Sequence, residues 1–467
     1  MTARHVRALA EAKPAVYWLT ESPVPEPLPA LVGTACADLV VVGGGYTGLW
    51  TALRAKERDP ELDVLVVEAQ TCGWAASGRN GGFADASLTH GSANGARRWP
   101  GELDVLEQLG TTNLDEIELT LDRYSIDCDF ERPGDISVAT EPWQLDDLHD
   151  LARVLTDAGQ DVDLLDGDAM RAEIDSPTYL GGLWKKRSTA LLHPAKLAWG
   201  LRAACLELGV RIHEHSPAQA LHVDATGAVL VRTPYGSVRA ERAALATNAF
   251  PTLLRRIRPF VVPVYDYVLL TEPLTTEQLA GIGWKNRQGL SDSANQFHYY
   301  RLTCDNRILW GGYDAVYHYR SKISPLLEAR YETFEKLSRH FFDTFPQLGG
   351  VRFTHRWGGV IDTSTRFCAF YGTAHRGRVA YALGFTGLGV AATRFGADVL
   401  LDLLSNASTV RTGLRMVQAK PMPFPPEPLR YTGIQLTRWS LSRADRNRGR
   451  RNLWLRALDA AGLGFTS

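Results

Sequence analysis

The segment Val40-Val41-Val42-Gly43-Gly44-Gly45-Tyr46-Thr47-Gly48-Leu49 sets Gly43, Gly45 and Gly48 in G-x-G-x-x-G spacing. An apolar run, Asp38 to Val42, precedes it, and Ala-rich helical patterning from Leu49 to Lys56 follows. A second apolar run, Val64 to Val67, completes a β-turn-α-β unit of about 30 residues, the minimum for a dinucleotide crossover. Gly43 permits the tight turn off the strand, Gly45 lets the backbone approach a pyrophosphate, and Gly48 lets the helix lie close to the sheet. The phosphate is expected at the helix start, over Tyr46 and Thr47, where free N–H groups and the helix dipole favour negative charge. Glu68, followed by Ala69, ends the second strand about 20 residues on, where an acidic side chain accepts ribose hydroxyls. On this motif alone NAD and FAD remain rivals.

Two further segments favour FAD. Ala76-Ser77-Gly78-Arg79-Asn80-Gly81-Gly82 is a small-residue loop just beyond the acidic strand end. Its lack of bulk allows close backbone approach to a flat or phosphorylated group, and Arg79 can neutralise charge. An ordinary flexible loop has the same composition. The second segment, Gly384-Phe385-Thr386-Gly387-Leu388-Gly389-Val390, joins an apolar strand to a helix through Leu404. One glycine-lined helix start suits the pyrophosphate. The other suits the flavin N1/C2=O edge, which becomes negative on reduction; a helix dipole contributes about 0.3–1 kcal/mol to such an anion.

Around these motifs the chain has 467 residues and a formal net charge of -1, which argues against a nucleic-acid binder. No run approaches the roughly 18 apolar residues of a membrane span. Met1 to Leu9 carries Arg4, His5 and Arg7 without an apolar core behind them, so the expected location is cytoplasmic. Cys36, Cys72, Cys128, Cys205, Cys304 and Cys368 are scattered, giving neither a C-x-x-C redox pair nor a zinc knuckle. No metal is expected.

Between the motifs the pattern alternates. A proline-rich lead-in, Ser22 to Pro29, precedes the first strand. Pro100 to about Leu165 reads as helical and acidic, followed by a helix from Pro194 to Leu208 and strands at Val210 to His213, Ala228 to Arg232 and Ala243 to Ala246. Phe260 to Leu270 and Gln296 to Tyr319 are strand-like and Tyr-rich, as in an antiparallel sheet. A helical stretch, Pro325 to Phe345, leads to the final strand-and-helix unit, Val379 to Leu404. The fold class expected is α/β: a Rossmann-type FAD domain (36–99, 190–258 and 350–410) interleaved with a mixed, largely antiparallel substrate domain (100–189 and 259–349). A Pro-rich linker and basic extension (411–467) follow.

With these motifs the chain resembles the glycine oxidase and D-amino acid oxidase superfamily, and within it the γ-glutamylputrescine oxidase branch. The resemblance runs from Tyr17-Trp18-Leu19 to about Leu404. It rests on Val41 to Leu49, Ala76 to Gly82, Tyr299 to Thr303, Asp305 to Arg307, Arg356-Trp357 and Gly384 to Val390. His193 to Ala220 and Ala246-Thr247-Asn248-Ala249 also fit. It implies non-covalent FAD across both helix starts, Ala218 near the adenine, Thr247, Asn248 and Trp357 among the cofactor contacts, and a six-stranded substrate sheet facing the flavin. It further implies hydride transfer from an amine α-carbon, an imine hydrolysed to a carbonyl, and O2 or another electron acceptor. A dehydrogenase using a non-O2 acceptor and a noncatalytic FAD-binding module are the alternatives.

Departures from the family pattern carry information too. Trp357 stands where the sarcosine oxidase branch has a flavin-linking cysteine. Ala391 replaces a carboxylate-clamping lysine, Leu388 replaces a histidine, and the Leu309-Trp310 region lacks an oxygen-activating lysine. The first two favour dissociable FAD and an amine over an α-amino acid. His298 is expected as base or amine-orienting group and Tyr265, Tyr267, Tyr299 and Tyr300 as an aromatic wall, with His298, Tyr300 and Tyr267 the expected catalytic residues. Only one face of each strand can reach the flavin. His213 and His215 have metal-pair spacing but no third ligand, and His193 before Pro194 reads as a helix start. The Arg-rich tail, Arg430 to Arg456, suits either a solvated helix face or docking on an acidic surface.

Overall fold

The computed structural model describes residues 4–464. Among these, the first strand runs Gly33–Val42 and the helix after it Tyr46–Arg58, both longer than the apolar pattern alone indicates. The strand pairs in parallel with Val64–Val67 and with Gly236–Leu245, so that Val41 lies opposite Val66 and Ala244. Val379–Leu383 and Arg211–His213 extend the parallel row, and Phe370–Ala374 closes one edge antiparallel. A parallel sheet is covered on both faces, which is why these strands are continuous apolar runs. On one face Val41, Val64 and Val66 pack against Leu49, Trp50, Leu197 and Leu400 of three helices. On the other, Val40, Val42, Leu65 and Val67 meet Val229, Val231, Leu254 and Ile257.

The second sheet has nine strands among the described residues, where the resemblance implied six. The extra width comes from 100–189. Within that segment the helices Leu103–Arg123 and Pro142–Asp157 flank a strand, Asp135–Ala139, which pairs with Gly289–Asp292 and recruits Gly181–Lys185 and Val162–Leu165. The Tyr-rich region folds as His298–Leu302, Ile308–Gly312 and Val316–Tyr317, beside Val262–Thr271. Phe353–Thr363 also belongs to this sheet, antiparallel to Val262–Thr271. Behind it the helix Tyr331–Thr344 lays Phe334 and Phe341 against Tyr265, Tyr267, Tyr300 and Trp310.

The tail forms two helices, Leu429–Arg446 and Leu453–Ala460, which fold back on the second sheet. Arg438 Nη2 donates to Asp314 at 2.7 Å, and the Asp445 carboxylate accepts the amides of Asn295 and Gln296 at 3.0 Å. The acidic surface met by Arg438 is thus part of the same chain. No helix of the described residues is long and apolar enough to cross a membrane.

Candidate active site

A cavity of about 1470 Å³ lies between the two sheets. The helix Tyr46–Arg58 begins at it, with Gly45 at the cap position and no capping side-chain bond. The helix Gly389–Leu404 begins at the same cavity, again without a side-chain cap. First-turn N–H groups have no partner within their own helix, so two partly positive helix ends converge on one space. At Gly387, φ is +90° and an added Cβ would meet nothing within 4 Å, leaving room for a flat ligand edge. The buried hydroxyl of Thr247, next to cavity-lining Asn248, has no hydrogen-bond partner among the described residues. These features fit a long, flat, anionic cofactor with a negative group at one end.

Gly43 and Gly48 do not line the cavity; they position the helix. A Cβ on Gly48 would sit 1.8 Å from the Gly43 carbonyl oxygen, and one on Gly43 (φ +113°) 2.4 Å from that of Ala246. Glu68 has protein partners: it accepts Gly44 N at 2.6 Å, Gln70 N at 2.8 Å and Trp74 Nε1 at 2.8 Å. Its carboxylate also faces the amide of Ala69, and Glu68 is buried and does not line the cavity. Ala69 is exposed at the strand end and Ala218 packs behind the parallel sheet; neither lines the cavity.

The small-residue loop is held from several sides. It begins as one helical turn, Ala76–Arg79, and Ser77 Oγ accepts Tyr46 N at 2.9 Å. Asn80 folds over it, donating to Ala76 O and Ser77 O at 3.0 Å and accepting Gly82 N at 2.8 Å. Trp18 Nε1 donates to Asn80 O at 2.9 Å, Trp357 Nε1 to Arg79 O at 2.8 Å, and buried Arg301 to Gly82 O at 3.0 Å. Trp357 thus acts through the loop. The Arg79 guanidinium pairs with Glu328.

Asp362, unremarked in the sequence, fixes the other turn. Its carboxylate accepts Gly384 N at 2.5 Å and also faces the amides of Phe385 and Thr386. Burial nevertheless pushes it up to about 7. Gly384 itself is packed against Ser364 and Phe370, while Phe385 to Gly389 line the cavity.

On the substrate side, strand parity splits the expected residues: of the tyrosine wall only Tyr299 lines the cavity. Tyr267, Tyr300 and His298 do not line the cavity. Tyr267 donates to Leu327 O at 2.7 Å, Tyr300 shares a 2.8 Å bond with Tyr179, and His298 lies between Asp292 (2.5 Å) and His340 (3.0 Å), stacked on Trp310. Their neighbours Asp266 and Tyr299 face the cavity instead, because alternate side chains in a strand point to opposite faces. The Tyr299 hydroxyl donates to Asp266 at 2.5 Å. The ring of Tyr299 lies where a Cβ on Gly81 or on Gly311 would be 2.6 Å from it, so it abuts the small-residue loop. Burial pushes Asp266 up to about 6. Farther along the same face, Asp135 accepts Thr189 Oγ1 at 2.7 Å and pairs with Lys185 at 3.0 Å. Burial raises the nearby Asp85.

His213 donates to Pro29 O at 3.1 Å, and no group of three or more His, Cys, Asp or Glu among the described residues is arranged to hold a metal. His193 caps the helix Pro194–Glu207 through Lys196 N. Ala391 lies in the core, where Asn113 bonds its carbonyl at 3.0 Å.

Comparison with known proteins agrees with this geometry. The gamma-glutamylputrescine oxidoreductase of Escherichia coli (strain K12) is 32% identical over 403 residues, covering 81% of this chain and 86% of the relative. A probable oxidoreductase, OrdL, of Haemophilus influenzae is 29% identical over 390 residues, covering 80% and 84%. The crystal structure of glycine oxidase from Geobacillus kaustophilus superposes with a TM-score of 0.66 at 17% identity, covering 83% of this chain and all of that one (100%). The family model described as FAD dependent oxidoreductase matches residues 38–403, and the chain belongs to that family.

Proposed function

We propose that the cavity holds one FAD and that the chain oxidises the C–N bond of a small amine of the polyamine or γ-glutamyl-polyamine type, passing electrons to O2 to give H2O2. The observation that carries this reading is the convergence of two helix starts, over Gly45 to Thr47 and Gly387 to Gly389, on one cavity backed by the second sheet. The first suits a pyrophosphate and the second the flavin edge. The chemistry supplied by bound FAD is two-electron acceptance. The chain's residues bind, orient and exclude water: Trp18, Asn80, Arg301 and Trp357 fix the loop, and Asp362 fixes the second turn. The name of the 32% identical relative supports the substrate class.

In this reading 36–99, 190–258 and the residues from Ser364 to 410 form the FAD-binding part. Phe353–Thr363 goes with the substrate sheet it pairs in. Six unpaired thiols suit a reducing, cytoplasmic setting.

Anaerobic mixing of the FAD-loaded protein with amines, amino acids and γ-glutamylated polyamines tests the assignment. Amine-specific bleaching with rapid recolouring in air is expected. Bleaching without recolouring indicates an electron acceptor other than O2. A flavin that no amine bleaches contradicts amine oxidation and leaves a binding module.

A further inference from the structure

We propose that the carboxylate of Asp266, oriented by the Tyr299 hydroxyl, is the binding station for the substrate ammonium and the element that turns away α-amino acids. This rests on the reading of the cavity as an amine-oxidising site and names the group that selects the amine.

Asp266 is the one charged residue in the strand Val262–Thr271, V-P-V-Y-D-Y-V-L-L-T. Val262, Val264, Asp266 and Val268 line the cavity from one face of that strand, so the carboxylate stands in an apolar row. Two contacts set it beside the cofactor loop. Tyr299, its hydrogen-bond donor, abuts Gly81. Gly359, its partner in the adjacent strand, would place a Cβ 3.7 Å from Arg79 Cβ.

Hydrogen-bond bookkeeping leaves the carboxylate incomplete. It accepts from Tyr299 and faces the amides of Tyr267 and Gly312, fewer donors than a carboxylate's roughly four lone-pair sites can take. Among the described residues no Lys or Arg pairs with it. The charged and titratable groups around it are Tyr299 on the cavity side, Tyr267 on the far face of its own strand, and Arg79, already paired with Glu328. A half-buried carboxylate in an apolar row without a cation is costly. An alkylammonium entering the cavity supplies that cation together with the missing donors.

The same charge explains a selection. An α-amino acid carries a carboxylate one carbon from its ammonium, and like charges at contact distance repel. Ala391, in the first turn of the helix Gly389–Leu404, lies in the core and offers no compensating cation.

Calorimetric titration with tert-butylammonium is the test. This probe lacks an α-hydrogen and cannot be oxidised; tert-butanol is its neutral counterpart, and 2-aminoisobutyrate is the same skeleton carrying a carboxylate. Wild-type FAD-loaded protein is expected to bind tert-butylammonium at least about tenfold more tightly than either. That affinity should fall by up to about tenfold per pH unit below about pH 6, as Asp266 takes up its proton. Asp266→Asn keeps an acceptor for Tyr299. It should lose at least about tenfold in affinity for the cation, lose the pH dependence, and leave tert-butanol binding within about twofold. Asp266→Glu should restore cation binding in part, and thermal melting confirms that both variants fold. An Asp266→Asn protein that binds tert-butylammonium within about twofold of wild type, or with the same pH profile, overturns the proposal. So does a wild type that prefers 2-aminoisobutyrate. Failure to take up FAD counts against the flavoenzyme reading instead, and the same titration of that preparation still reports on Asp266.

Discussion

The Asp362 carboxylate accepts the amide of Gly384 at 2.5 Å, so a residue of the nine-stranded sheet holds the turn that opens the second glycine-lined helix. Burial holds this acid near 7, well above its value in an unfolded chain. A carboxylate raised on folding contributes stability that is present below the unfolded value, near 4, and lost as pH rises through the folded one. Apo protein is therefore expected to lose stability from this group between about pH 4 and pH 7, and from Asp266 between about pH 4 and pH 6. Asp362→Asn keeps an acceptor for Gly384 and should stabilise the fold at pH 8 by a few kcal/mol at most, given about 1.4 kcal/mol per pKa unit, seen as a higher melting temperature. Asp362→Ala should release the turn and weaken FAD binding. Melting curves at pH 5 and pH 8 check both; an Asn variant less stable than wild type at pH 8 contradicts the sign.

The glycines of the first motif divide into packing and cradle positions. Gly48→Ala forces a Cβ to within 1.8 Å of a backbone oxygen, and the helix must move. A loss of several kcal/mol is expected, enough to leave little folded protein. At Gly45 the obstacle is the movable hydroxyl of Ser77, at 2.9 Å. Gly45→Ala should fold, with FAD affinity reduced about tenfold or more where the cofactor backbone approaches. Fluorescence titration with FAD after a thermal-melt check separates the two. Equal behaviour of the two variants is the contrary result.

Trp357 faces the loop rather than offering a nucleophile to the flavin, and its indole bonds Arg79 O. Acid or heat denaturation should release all of the flavin into the supernatant. Trp357→Phe removes that single hydrogen bond, worth about 1 kcal/mol, and should weaken FAD binding several-fold while leaving release complete. Flavin retained on the precipitated chain would contradict this.

Local backbone rules made the glycine-lined helix starts readable, whereas the sense of the Tyr-rich strands depended on a choice the sequence leaves open. Gly48 owes its role to a steric limit within ten residues of chain, the Gly43 carbonyl, whereas Gly43 and Gly45 are limited by Ala246 and Ser77 of neighbouring segments. The Tyr-rich strands follow the period of two, but both faces of the sheet are buried. Tyr265, Tyr267 and Tyr300 pack on Phe334 and Phe341, so periodicity gives the alternation without its sense. One signal was available: Asp266, a lone carboxylate between two tyrosines in a buried strand, has no structural reason to be charged. Asp362 acts through the amide of Gly384 and left no such mark, while Trp18 was marked by the family resemblance alone.

The tail helices wall the cavity through Leu436, Trp454 and Leu458, and Arg438 ties them to Asp314. Asp314 keeps Arg330 and Lys336 as partners when the tail is removed, so the sheet should stay intact. A chain ending at Ala419 is expected to fold with its flavin more open to solvent, read as a severalfold rise in iodide quenching of flavin fluorescence. Unchanged quenching would show that the tail does not shield the site.

The amount of FAD carried per chain tests the two-helix cradle most directly. Protein incubated with excess FAD and freed of unbound ligand should be yellow, with one FAD per chain released on denaturation. A colourless protein after that incubation would contradict the cradle and the chemistry assigned to it.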